Sequence, residues 1–154
     1  MSNTNQEPMD YWPSEYNRCR EIEAPYRKLY HDIHFWGNEI NREFQNTLLF
    51  LTTELNYPMP RLVRLTPTHY AWLEGVNGLY LNGKLKSDTK TSCRILLRNH
   101  ANIITLIHEY AHHIAWLDRL KVSDDFAIHH GADFLTIEKM LLEMFHQAKK
   151  EGRL

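Results

Sequence analysis

Five residues, His108-Glu109-Tyr110-Ala111-His112, lie inside an almost unbroken apolar stretch that runs from Ile103 to Leu117. The apolar residues Ile103, Ile107, Tyr110, Ala111, Ile114 and Leu117 recur at intervals of three and four, which is the period of one buried helix face. A helix of this kind must be covered on most of its circumference, so the rest of the chain has to wrap around it. It also carries two histidines four residues apart, and positions i and i+4 of an α-helix share a face.

That spacing lets both imidazoles reach one metal ion, while the carboxylate of Glu109 between them can reach a metal-bound water. The pattern is the His-Glu-x-x-His motif of zinc peptidases. Catalytic zinc is commonly held by three protein ligands, leaving one position open for water. His130, within His129-His130-Gly131-Ala132-Asp133-Phe134, is the leading candidate for the third ligand. The polar stretch around Ser123-Asp124-Asp125 can turn the chain back towards the first two. Asp133, three residues further on, is the rival ligand, since both residues can face the same way from a helix start. His129, Tyr110, His69 and Tyr80 are candidate donors to a developing oxyanion. Tyr110 has the alternative of packing in the core. His31 and His34 form another closely spaced pair, read as surface or interface histidines because no acidic or cysteine partner stands at ligand spacing.

His108-Glu109-x-x-His112 followed by His130-Gly131-x-x-Phe134 resembles the core of the SprT-like zinc metalloproteases, which include the Spartan-type proteases of DNA–protein crosslinks. The likeness covers roughly residues 91–145. It implies a minimal zincin-like fold, Zn²⁺ as cofactor, His108, His112 and His130 as its ligands, Glu109 as general base, and a protein or peptide substrate associated with DNA. No cysteine-rich zinc ribbon follows this core in the sequence. A carboxylate ligand at Asp133 would instead resemble the ImmA/IrrE-like regulatory proteases, but their acidic element in an Asn-x-Phe-Ala setting is absent. A zinc-stapled binding module and a nucleic-acid accessory protein without protease activity are the remaining alternatives.

Composition bounds these readings. With 43% hydrophobic and 24% charged residues the chain has the make-up of a globular protein,. No apolar run approaches the ~20 residues needed to span a bilayer. The first residues lack the basic and apolar regions of a secretory signal. Its two cysteines, Cys19 and Cys93, lack metal-binding spacing,. An intracellular protein is therefore expected, cytoplasmic or associated with the nucleoid or nucleus, with no membrane partner. A net charge of −1 argues against an obligate polyanion binder. Residues 61–98 nevertheless hold seven basic residues against two acidic ones, a local excess of +5. Such a cluster is a candidate DNA contact, although solvated strand and turn residues give the same pattern.

The expected architecture is α+β, with residues 1–20 as a loosely ordered arm and 21–154 as one domain. A long helix is expected from Tyr26 to Leu55, then strands over Arg61–Leu65, Leu79–Leu81 and Ser92–Arg98. The strand over Ser92–Arg98 is the candidate for an edge that pairs with an extended substrate. Asn99 is the expected cap of the motif helix, and a last helix is expected from Ala132 to Lys149, stopped at Gly152.

Overall fold

The computed structural model describes residues 7–36, 41–69, 72, 75–87, 90–122 and 132–154. Among the described residues, four helices and a three-stranded sheet follow one another in the order α1 (Glu7–Leu29), α2 (Arg42–Leu55), β1 (Arg61–Arg64), β2 (Gly78–Leu81), β3 (Arg94–Leu97), α3 (Ile103–Val122) and α4 (Ala132–Lys150). This is a mixed α+β arrangement. None of the described helices is long and apolar enough to cross a membrane.

The motif helix α3 is the centre of the molecule. Residues 103–111 are all buried, as a helix apolar nearly all round requires. It packs against β2 and β3 on one side and against α1 and α4 on the other. Helix α4 closes over it with Phe134, Leu141, Leu142 and Phe145, all fully buried. Each such side chain contributes about 1.5–3 kcal/mol on leaving water. After Lys150 the chain turns at Gly152, where φ is +74°. Arg153 N–H then returns to the Ala148 carbonyl at 2.8 Å, the αL stop that glycine permits.

The helix expected from Tyr26 to Leu55 is two helices. Helix α1 ends at Leu29, and the chain crosses to the turn before α3. There Ile103 N–H donates to the Ile33 carbonyl at 3.0 Å, Phe35 N–H to the Ala101 carbonyl at 2.9 Å, and His100 N–H to the Phe35 carbonyl at 2.8 Å. Asn41 then takes both backbone groups of Trp36, each at 2.7 Å. The apolar period of the sequence runs through the break at Ile33 and Trp36; Ile33 packs against the core from the crossing, whereas Trp36 is exposed. The boundary expected near residue 20 falls inside α1, where Cys19 is buried. Cys93 is buried as well, and no disulfide joins the two.

The sheet order is β1-β3-β2, with β1 parallel and β2 antiparallel to β3. The strand expected at the edge is therefore the central one. The burial of its side chains explains this: Ile95 and Leu97 face the helices and Leu96 the opposite face, so both faces are covered,. Strand β2, half-buried along its length, is an edge, and it is the edge that lies against α3.

Candidate active site

Asn102, rather than Asn99, begins the site. Its side-chain oxygen accepts from Ile104 N–H at 2.9 Å, while its amide donates to the carbonyls of Tyr30 at 2.8 Å and Ile33 at 3.3 Å. One residue thus caps α3 and ties its start to the end of α1.

Two turns into α3, the rings of His108 and His112 stand 5.1 Å apart, centroid to centroid, at 78°. Phe134, in the first turn of α4, lies against both, at 5.2 Å from His108 and 4.4 Å from His112. The helix spacing read from the sequence does bring these two imidazoles together. His129 and His130 lie outside the described residues. Asp133 falls in the first turn of α4, and its side chain is likewise outside them.

His108 is held from behind. Its Nδ1 lies 2.9 Å from Glu23 Oε2 on α1 and 2.9 Å from Glu138 Oε2 on α4. Arg27 continues the chain outward, its Nε donating to Glu23 Oε1 at 2.9 Å and its Nη2 to Thr105 Oγ1 at 3.3 Å. Carboxylate oxygens accept, so Nδ1 carries the proton. In the neutral ring that tautomer presents its lone pair at Nε2. Glu138 is completely buried, and its Oε1 has no hydrogen-bond partner among the described residues.

The electrostatics follow from this crowding. Burial works against the charged His108 ring, but its hydrogen bonds to Glu138 and Glu23 and the nearby Glu109 raise its pKa well above the ordinary value. Burial likewise opposes ionisation of Glu23, yet its hydrogen bonds with His108 and Glu138 prevail and bring it down to about 2. For Glu138, burial prevails over His108 and, with Glu23 adding to it, pushes the carboxyl up to about 7. Glu109 also rises to about 7, chiefly through burial, with His108 opposing and Glu23 reinforcing. A divalent cation on the two histidines would draw Glu109 back towards the carboxylate.

Edge strand β2 meets α3 at Glu109. A Cβ on Gly78 would stand 2.7 Å from Thr105 Cγ2 and 3.2 Å from Glu109 Cγ, so the strand approaches this closely only because residue 78 has no side chain. Next to His112, His113 belongs to the scaffold. Its Nε2 donates to the Pro58 carbonyl at 2.6 Å, and its Nδ1 accepts from the Tyr80 hydroxyl at 2.9 Å. Burial, only partly offset by the Pro58 bond, lowers its pKa to about 4. Of the candidate oxyanion donors, Tyr80 is thus engaged with His113. Tyr110 is engaged with Thr52 Oγ1 at 3.1 Å in the core. His69 sits half-buried in the turn after β1. His31 lies in the turn after α1 and His34 in the bridge to Asn102, so the pair shares no helix.

A second donor set flanks His108. Cys19 Sγ, a His108 ring nitrogen and a Glu138 oxygen all lie within 4.8 Å of one another. Neither glutamate was singled out in the sequence, though each breaks an apolar stripe. Glu138 falls in the run Phe134, Leu141, Leu142, Phe145, and Glu23 falls between Cys19, Ile22 and Tyr26. A charged residue at a core-facing helical position was the available signal.

Within the basic stretch, Arg61 and Arg94 are register partners on β1 and β3, and both are exposed, as are Arg64, Lys84, Lys86 and Lys90. Arg98 differs. Its guanidinium donates to the carbonyls of Val76 and Trp72 and stacks on the Trp72 ring at 3.9 Å, so it holds the loop over the outer face of the sheet.

Compared with protein-family models, with curated proteins and with solved structures, the chain gives no significant match.

Proposed function

We propose that this chain is a zinc-dependent metalloendopeptidase of the SprT-like kind, built on a minimal zincin-like fold. The observation that carries the reading is the pairing of His108 and His112 over Phe134, with His108 Nδ1 secured by buried carboxylates. The donor set fits zinc: imidazole nitrogens suit it, and zinc-bound histidines are typically anchored through their second nitrogen in this way. His108 and His112 would hold the ion, with His130 as third ligand and Asp133 as the rival. When bound, zinc lowers the pKa of a coordinated water towards ~7 and polarises a carbonyl.

The chain's own residues supply the rest. Glu109, between the two histidines, takes the proton from the attacking water and passes it to the leaving amine. Its burial beside His108 keeps bulk water from competing for that proton. The outer edge of β2, unpaired among the described residues and close to the Glu109 side chain at Gly78, is the natural place for an extended peptide to add as a further strand,. The exposed Arg61, Arg64, Arg94, Lys84, Lys86 and Lys90 favour substrates bound to nucleic acid,. Elemental analysis of the purified protein, with cleavage of an unfolded protein substrate by wild type and Glu109→Gln, tests the reading. Zinc at one equivalent and loss of cleavage in the variant are expected. Equal cleavage by both would remove Glu109 from the chemistry.

A second reading has one observation in its favour. A cation held by Cys19, His108 and Glu138 would staple α1, α3 and α4 together, and the protein would then be a binding module. A site closed by protein ligands marks a structural metal, and an open position marks a catalytic one.

A further inference from the structure

Two carboxylates converge on one nitrogen of His108. One comes from α1, the other from α4, and both are 2.9 Å away. A single acceptor is enough to fix a tautomer, so the second calls for its own physical reason. Burying a carboxylate costs several kcal/mol unless it is paired. Glu23 has Arg27 as an outside partner, at 2.8 Å. Glu138 has none comparable: it is fully buried, and its Oε1 has no hydrogen-bond partner among the described residues. A fold that keeps this group in its core beside Glu23 places the charge of Glu23 and a second carboxyl oxygen against one side of one imidazole. That charge is repaid when the opposite side of the ring carries a cation, because a metal on Nε2 makes Nδ1–H a stronger donor, and the carboxylates in turn make the ring a more basic ligand.

We infer that Glu23 and Glu138 act jointly as positioning residues for His108, setting both its orientation and its affinity for a divalent metal at Nε2. The inference rests on the reading of His108 and His112 as metal ligands, and adds to it two residues from opposite ends of the chain. Neither glutamate touches substrate or metal in this role. The site is completed through α1 as well as through α4, so its metal affinity depends on a helix that carries none of the ligands proposed from the motif.

The test is metal affinity rather than turnover. Zinc(II) and cobalt(II) are titrated into the chelator-stripped full chain against a chromophoric competitor, for wild type, Glu23→Gln, Glu138→Gln, Cys19→Ser and His112→Ala. Thermal unfolding of each metal-free form is recorded alongside. The expected result is a metal affinity about 10- to 100-fold weaker in each glutamine variant, the usual effect of removing such an outer partner. The cobalt absorption envelope should stay that of wild type, and Cys19→Ser should bind like wild type. A merely structural role would lower the melting temperature of the metal-free variants and leave their metal affinity unchanged, which would overturn the inference while the metalloprotease reading stood. If Cys19→Ser weakened binding as much as Glu138→Gln, with loss of a thiolate charge-transfer band, Glu138 would be a ligand beside Cys19 and the inference would fall. Wild type that binds no metal, or His112→Ala that binds as well as wild type, would defeat the underlying reading and the inference with it. Should Glu138→Gln fail to fold, Glu23→Gln carries the same comparison from α1.

Discussion

Gly78 on the edge strand and Glu109 on the central helix are in contact: a methyl group placed on Gly78 would stand 3.2 Å from Glu109 Cγ and 2.7 Å from Thr105 Cγ2. The strand and the proposed base therefore share one tightly packed seam. Gly78→Ala should destabilise the protein by about 1–3 kcal/mol through overpacking, read as a lower urea midpoint. It should also depress kcat more than KM, because it displaces the base and the strand together. A variant with unchanged kcat would separate that seam from the chemistry.

Phe134 carries a comparable load on the other side of the histidines. Phe134→Ala removes a fully buried ring from the core and should cost about 3–5 kcal/mol. Phe134→Leu should cost less, yet still loosen the rings of His108 and His112. Denaturant midpoints with zinc and with chelator would show it: stabilisation by zinc should shrink in Phe134→Leu.

His113 predicts a pH dependence in the metal-free protein. Its folded pKa is about 4, below the 6.5 of a free histidine, because burial disfavours the charged ring. Between those values the unfolded chain binds more protons than the folded one, so this group's contribution to stability falls as pH drops from 6.5 to 4. The full effect is on the order of 3 kcal/mol. His113→Gln should remove that slope, so unfolding midpoints of wild type and variant should diverge at pH 7 and approach each other at pH 4.5.

The arginines of the sheet should divide into two kinds. Arg61→Glu and Arg94→Glu should weaken binding of single-stranded DNA and reduce the slope of log K against log salt by about one or more per substitution. Stability should be nearly unchanged. Arg98→Ala should do the reverse, lowering stability through loss of its Trp72 stack and carbonyl contacts with little effect on the salt slope. Filter binding at several salt concentrations, beside thermal melts, distinguishes them.

The helical parts of this fold were legible where one face repeats at three and four. The span from Ala132 to Lys149 and the motif helix emerge from Phe134, Leu141, Phe145 and Ile103, Ile107, Ile114 alone. The His108–His112 pairing follows from the same geometry. Local periodicity could not show that Ile33 and Trp36 belong to a crossing rather than to a helix, since both are apolar and in phase with Leu29,. Nor could it assign sheet order, because the pairing of β3 with β1 and β2 is decided by which strand is covered on both faces. The glutamates on His108 were hidden for a related reason. Glu23 and Glu138 are 85 and 30 residues away from it in sequence, and each is conspicuous only as a charge on an otherwise apolar stripe.

The crossing from Tyr30 to Phe35 bears on how the protein breathes. The first turn of α3 rests on hydrogen bonds to Tyr30 and Ile33, which span 72 and 69 residues. Local helix propensity does not supply these contacts, and a helix end without its cap frays. The start of α3 and the residues 33–35 clip should then open as one cooperative unit, with amides of Phe35, Ile103 and Ile104 exchanging with solvent at a common free energy. The geometry around His108 is in that sense only as durable as a short stretch of chain far from both histidines in sequence.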